Sequence, residues 1–489
     1  MTAAFRPLAV IAALALAAGL AGCAVGPRYS RPQAPSAPEY KETPPSWKQA
    51  QPSDQITRGK WWEIFQDPQL NALEEQVNVS NQTLRAALAQ FQQARALVRL
   101  NRADLYPTLT AAPAASRNRL SLTSARTGTV PDYTDVILPA DLTWEADVFG
   151  RVRRTVEAAR ANAQASAADL ESVSLSLHAE LASDYFQLRT FDAEEQLLKD
   201  NVAAFEKALE LTQNRYKGGV ASAVDVAQAQ TQLETTRAQA IDVMVERQQL
   251  EHAIAALTGQ PASSFSIPAA PWNTPPPVIP PGLPSDLLER RPDVAAAERL
   301  IAAANAQIGV ARTAYFPQIT LNASAGYEGS TITNWLTGPS GFAAAGISTL
   351  VTVFDVGRRR AGVEQAQAGY DQTVANYRQT MLTAFQEVED NLAALRILED
   401  ESSTQAVAVS AAQHSLELSN NRYKGGVVTY LEVITAQSIA LTNERVAVGI
   451  LRERMTASVL LIKALGGGWN ASSLPTVSTN AVPQTAAAQ

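Results

Sequence analysis

Leu138, Ala140, Leu142, Trp144, Ala146 and Val148 alternate with Asp141, Thr143, Glu145 and Asp147, so one face of this segment is apolar and the other polar. Ile319, Leu321, Ala323, Ala325 and Tyr327 alternate in the same way with Thr320, Asn322, Ser324 and Gly326. A period of two over about ten residues predicts β-strands, and it fits a lipid-facing barrel strand as well as a half-buried strand of a soluble sheet. Other stretches read as helix. Arg151 to Arg215 has neither Gly nor Pro, and Arg358 to Arg422 matches it apart from Gly362 and Gly369 near its start. At a rise of about 1.5 Å per residue each helix would be about 95 Å long. Ser222 to Thr258 and Asp67 to Asp104 predict helices of about 55 Å each, so two of these end to end roughly match one long one.

These elements recur. Asn214-Arg215-Tyr216-Lys217-Gly218-Gly219-Val220 returns as Asn421-Arg422-Tyr423-Lys424-Gly425-Gly426-Val427, an offset of 207 residues. Phe149-Gly150-Arg151 and Val356-Gly357-Arg358 are separated by the same interval. The chain therefore reads as a tandem duplication, with repeats at 67–258 and 286–468. An N-terminal extension at 23–66 precedes them, a Pro-rich linker at 259–285 separates them, and a tail at 469–489 follows. The linker has nine Pro and no charged residue, which predicts extended chain. Each repeat contributes two strands of membrane-spanning length and a helical hairpin about 100 Å deep. Helices this long need lateral partners throughout, and the small residues Ala158, Ala159, Ala161, Ala163, Ala165, Ala167 and Ala168 allow close approach.

Composition narrows the function. The 489 residues are 18% charged with a net charge of -7, and no basic run marks a nucleic-acid surface. One Cys and three His exclude internal disulfides and leave almost no room for Cys/His metal sites. His178, His252 and His414 lie in predicted helices without triad or metal spacing and read as surface or interhelical residues. No catalytic residue, metal site or enzymatic cofactor is expected.

The N-terminus is an address. Arg6 precedes an apolar run from Leu8 to Gly22, too short to cross a bilayer, so 1–22 reads as a signal peptide. It ends in Leu20-Ala21-Gly22-Cys23, which resembles the bacterial lipobox. That resemblance implies Cys23 as the mature N-terminus, carrying S-diacylglycerol and an N-acyl (palmitoyl) chain. Several acyl chains make a stable anchor. By the same resemblance to bacterial lipoproteins, Ala24 at the next position implies sorting to the outer membrane.

Four strands cannot close around anything, and open strand edges are not tolerated in lipid. The chain must oligomerise. Two copies would give eight strands with a filled interior, and three would give twelve with room for a pore.

Further motifs carry a resemblance. Leu287-Leu288-Glu289-Arg290-Arg291-Pro292-Asp293, Ala314-Tyr315-Phe316-Pro317, Phe354-Asp355-Val356-Gly357-Arg358, Trp61-Trp62 and Lys463-Ala464-Leu465-Gly466-Gly467-Gly468-Trp469 resemble those of TolC-like outer-membrane efflux factors. The match is to the lipoprotein branch serving resistance-nodulation-division pumps, and it spans roughly residues 20–470. The resemblance implies a membrane β-barrel plus a long α-helical barrel. In that fold a homotrimer builds a twelve-stranded barrel and a twelve-helix periplasmic tunnel. It implies a periplasmic adaptor and an inner-membrane pump as partners, with passive conduction of drugs or other toxic small molecules. Protein secretion or metal-ion efflux through the same kind of tube stays open, and so does a structural coiled-coil lipoprotein. Scarce Met argues weakly against a soft-metal path.

The site expectations fall at the two helix turns. Gly218-Gly219 and Gly425-Gly426 break both hairpins at equivalent places, at the end farthest from the strands. The resemblance makes this end the gate. It puts Asp225 and Glu432 at the constriction, where acids repeated around a tube would form rings that attract cations. The competing reading is local. Ser222 with Asp225, and Thr429 with Glu432, both have capping-box spacing. Tyr216 and Tyr423 are expected to hydrogen-bond between helices. Two positions depart from the family's pattern: Val428 replaces an Arg and Thr435 replaces a second Asp, so Leu431 and Tyr430 packing across the axis is a further expectation.

Overall fold

The computed structural model describes residues 24–33, 40–42, 59–119, 132–270, 274–279, 290–331, 333 and 335–474. The signal peptide at 1–22, Cys23, most of the first strand-pair tip and the tail beyond Leu474 lie outside them.

Among the described residues, seven α-helices and five strand segments follow one another: α1 (Pro68–Ser80), α2 (Gln82–Ala103), β1 (Thr108–Ala111), β2 (Ala114–Arg119), β3 (Asp132–Glu145), α3 (Arg151–Lys217), α4 (Ala223–Leu257), α5 (Pro292–Thr313), β4 (Gln318–Gly329), β5 (Gly341–Leu350), α6 (Arg358–Lys424) and α7 (Tyr430–Ala464). The helices α3 and α6 are 67 residues each, or about 100 Å. Gly362 and Gly369 sit inside α6 without interrupting it. Both helices start from the same corner, in which a left-handed glycine (Gly150 φ 86°, Gly357 φ 85°) turns strand into helix. Asp147 accepts from the backbone N–H of Val152 and Arg153, and Asp355 from those of Gly357 and Arg359, so a carboxylate caps each otherwise orphaned first turn.

The strand predicted at Leu138–Val148 begins earlier, at Asp132, and ends at Glu145, with the Ala146 N–H still donating to Ile319 O. The sheet is antiparallel in the order β1/β2, β3, β4, β5. Both β1 and β2 pair with β3, because Ala112-Pro113 interrupts what is otherwise one strand. The central pair therefore joins the two repeats. Pro139 in β3 faces Gly326 in β4, and a Cβ at 326 would lie 2.1 Å from the Leu138 carbonyl oxygen. Only glycine fits there. Among the described residues, β1/β2 and β5 pair with nothing on their outer sides. No described helix is long and apolar enough to cross a membrane.

The helices make a matching open layer. α3 is flanked by α2, α4, α5 and α7, and α5 also packs on α6. α2 and the first half of α6 each have one free flank. Leu88, Leu97 and Leu100 on α2, and Leu382 and Ile397 on α6, stand 43–64% exposed. Strand edges and helix flanks are thus unpaired on the same two sides of the chain.

The single helix expected over Asp67–Asp104 is two. The chain breaks at Asn81 (ψ 125°), whose side chain caps α2 by accepting from the Leu84 N–H and donates to Leu257 O. Ser80 Oγ donates to Thr258 O at 2.7 Å. The break ties the start of the first repeat to the end of α4, and it needs neither Gly nor Pro. Around it sits the largest apolar cluster, including Trp61, Trp62, Phe65, Leu70, Tyr185 and Phe186.

A buried ionic network braces the same level. Asp192 accepts from Arg189 at 2.9 Å, from Arg247 at 2.8 Å and from the Ala270 N–H at 3.0 Å. Arg247 also reaches Glu251 at 2.5 Å and Ile267 O at 2.6 Å. Arg189 donates to Pro268 O at 2.7 Å, which fastens the first turns of the Pro-rich linker to α3 and α4. The N-terminal extension is likewise strapped on. Val25 N–H donates to Phe149 O at 3.1 Å, and Arg154 donates to Val25 O at 3.2 Å. Farther along, the Lys41 and Glu42 N–H groups donate to the two oxygens of Glu389 on α6.

Candidate functional site

The two turns lie about 100 Å from the sheet, at the far ends of α3 and α6. Both are built alike. Gly218 and Gly425 end their helices, and Gly219 (φ 77°) and Gly426 (φ 74°) supply the left-handed step that L side chains resist. Val220 N–H returns to Arg215 O at 2.8 Å, and Val427 N–H to Arg422 O at 3.0 Å, closing each helix end.

Beyond the turns the repeats diverge. Ser222 and Asp225 form a full capping box: the Asp225 N–H donates to Ser222 Oγ, and Asp225 Oδ2 accepts from the Ser222 N–H at 2.8 Å. The second box, expected at Thr429 and Glu432, is absent: the Thr429 side chain accepts from no helix N–H, and Glu432 instead takes a 2.6 Å bond from Arg422.

The expected roles of the tyrosines split. Tyr423 is buried, and its hydroxyl lies 3.4 Å from Thr212 Oγ1 on α3, a long contact between the hairpins. Tyr216 is 50% exposed, and among the described residues its hydroxyl meets no other helix. Tyr430 cannot pack across a central axis. It is 2% exposed and tilted against Tyr423, with ring centroids 5.2 Å apart, and burial pushes its hydroxyl up to about 12. Val428, in the place of the family's Arg, packs into this same small core with Val433 and Ala229. Leu431 is 56% exposed, and Thr435 is exposed with its hydroxyl turned back to Leu431 O.

Arg215 was not among the expected site residues, although the duplicated motif contains it. Its guanidinium lies 4.6 Å from the Tyr423 ring centroid, and its Nη1 donates to Tyr423 O at 3.0 Å and Lys424 O at 3.3 Å. It thus caps the C-terminus of the other hairpin's long helix, where a cation is favoured. Its repeat counterpart, Arg422, serves its own hairpin through Glu432. Arg215, Asp225 and Glu432 line one cleft of about 470 Å³ between the turns, with Tyr423 and Gly426. The structure therefore brings both acids to one place, with a fixed cation between the hairpins. Among the described residues no cluster of His, Cys, Asp or Glu is arranged to hold a metal ion.

The profile of the family described as outer membrane efflux protein matches residues 73–260 and 283–467. Two curated relatives from Pseudomonas putida are each 33% identical over 465 residues, covering 92% of this chain and 93% of theirs. They are the antibiotic efflux pump outer membrane protein ArpC and the toluene efflux pump outer membrane protein TtgC. The solved outer-membrane channel OprN superposes with a TM-score of 0.85 at 29% identity, covering 91% of this chain and all of that one. The chain belongs to the outer membrane efflux protein family.

Proposed function

We propose that this member of the outer membrane efflux protein family is the exit duct of a tripartite pump. Three copies close it, and it conducts toxic small molecules passively from periplasm to exterior. The observation that carries this reading is the coincidence of free edges. β1/β2 and β5 are unpaired on the same sides as the α2 and α6 flanks, so neighbouring copies can complete sheet and helical wall together. Three copies supply twelve strands, enough for a lumen. The turns then lie deepest in the periplasm, and the Arg215 cleft forms the gate, with Asp225 and Glu432 drawing cations to its mouth.

A periplasmic adaptor and an inner-membrane resistance-nodulation-division pump would meet this tip and supply the energy. The names of the pump-associated relatives favour antibiotics and aromatic solvents as cargo. Cys23 carries the lipid anchor, and the docking of residues 25–26 beside Phe149 and Arg154 at the strand–helix corner supports this reading. Deleting the gene should raise susceptibility to several unrelated lipophilic drugs, and the wild-type chain should restore resistance. Purified protein should run as a trimer that conducts in planar bilayers, and a lone, non-conducting subunit would refute the reading. Cys23→Ser should abolish acyl labelling.

A further inference from the structure

Where α1 packs against α3, far from the turns, a carboxyl and an imidazole are buried together. Glu74 is fully enclosed and His178 is 4% exposed. Of the two expectations for His178, surface or interhelical, the structure takes the interhelical one. His178 Nδ1 lies 2.6 Å from Glu74 Oε2, and its Nε2 lies 3.1 Å from Asn78 Oδ1. The Trp62 ring stacks on the imidazole, with centroids 4.4 Å apart and planes 27° from parallel. The second repeat has Phe385 at the equivalent position, packed against the apolar core, so the architecture itself does not demand a histidine.

An amide oxygen only accepts, so with Asn78 in this orientation the Nε2 atom carries a proton. One further proton then serves the 2.6 Å contact between Nδ1 and Oε2. Without it, two lone pairs would face each other. With a second one, the extra O–H falls on Glu74 Oε1, a buried atom with no hydrogen-bond partner. Burial raises the Glu74 carboxyl well above its usual range and lowers His178 to about 4. Both directions favour a pair that keeps one shared proton. Trp62, Asn78 and His178 line a cavity of about 720 Å³, which gives protons a route in. The charged groups nearby are Glu75 on α1, paired with Lys60, and Arg85 on α2 and Glu171 on α3, which line the same cavity.

We propose that Glu74 and His178 form a single-proton clasp that ties α1 to α3 and makes the waist of the channel hold most firmly in mildly acidic surroundings. The proton balance fixes the window. Free of the fold, with ordinary values of 4.5 and 6.5, the two groups together bind one proton between those pH values, none above and two below. The folded pair keeps one throughout. Inside the window neither state gains. Above pH 6.5 the folded state holds the extra proton, so stability falls as pH rises, until Glu74 itself ionises. Below 4.5 the folded state holds fewer, so stability falls again on acidification until His178 protonates near 4.

The test is thermal unfolding of the full, detergent-solubilised channel across this range, and it needs no transport assay, so it stands apart from the efflux reading. Wild type should be most stable inside the window. Glu74→Gln, whose amide can still donate to Nδ1, leaves a neutral imidazole in the fold, so it should flatten the alkaline limb and instead lose stability as pH falls below 6.5, inside the window. Superimposable wild-type and variant profiles would overturn the clasp. Should that variant fail to assemble, ¹⁵N spectra of histidine-labelled wild type decide, since only three histidines contribute. His178 should show a strongly hydrogen-bonded Nδ1 and no titration near pH 6.5, and an ordinary titration there would sink the proposal.

Discussion

Replacing Arg215 by Ala removes a cation that bridges the two turns of a subunit. Its Nη1 serves both Tyr423 O and Lys424 O, so the two contacts count as one charge-assisted bond. Such a bond is worth about 1.5–3 kcal/mol net, and the partial exposure of Arg215 argues for the lower end. The ring contact at 4.6 Å adds about 0.5 kcal/mol. About 2 kcal/mol per subunit is a factor of about 30 in the balance between joined and parted hairpins. The freed carbonyls sit at a helix end and can turn to water, so no buried penalty offsets the loss. Arg215→Ala should therefore raise resting conductance in planar bilayers and admit large hydrophilic antibiotics to pump-deficient cells. Arg215→Lys, which keeps charge but not the fork, should fall between. The control is Arg422→Ala. That residue's partner, Glu432, is in its own hairpin and the two are 55% and 37% exposed, so the pair is worth about 0–1 kcal/mol. Wild-type conductance in Arg215→Ala, or an equal effect from Arg422→Ala, would refute the reasoning.

Other outcomes follow from the same geometry. Asp192→Ala strands Arg189 as a buried charge and leaves Arg247 with Glu251 alone, so it should cost about 3–5 kcal/mol, lower the thermal midpoint and expose the segment after Phe265 to proteases. Gly26→Val should detach the N-terminal strap. Its φ is 114°, and a Cβ there would lie 2.5 Å from the Gly309 Cα; limited proteolysis near Arg28 would report it. Reversing the charge of both Asp225 and Glu432 to Lys should shift ion selectivity from cations toward anions in bilayer recordings. Unchanged selectivity would leave Asp225 as a helix cap and Glu432 as a partner for Arg422.

The long helices were legible because a helix shows itself by what is missing, and 65 residues without Gly or Pro leave few other options. The duplication was legible because the turn is specified locally: Gly219 and Gly426 answer a backbone need that any copy of the motif inherits. The break at Asn81 was not, because a capping Asn looks like an ordinary helix-surface residue until Leu257 supplies the other half of its hydrogen bonding. The network of Arg189, Asp192, Arg247 and Glu251 was hidden for a related reason. Two of its members are neighbours on α3 and two on α4, and nothing in either stretch says that they face each other in the dark. Identical motifs also misled. The spacing at Thr429 and Glu432 satisfies a capping box, yet Arg422 outcompetes it, whereas Arg215 is drawn to the helix end of the other hairpin.

The order of the sheet places β3 and β4, one from each repeat, at its middle, and leaves β1/β2 and β5 as its borders. Each subunit is thus finished internally and incomplete only where it meets its neighbours. A subunit damaged at one border spoils a seam that belongs equally to a sound subunit beside it. In a cell making both forms, the share of watertight ducts would fall as the cube of the sound fraction, so lesions in these outer strands should behave genetically as dominant.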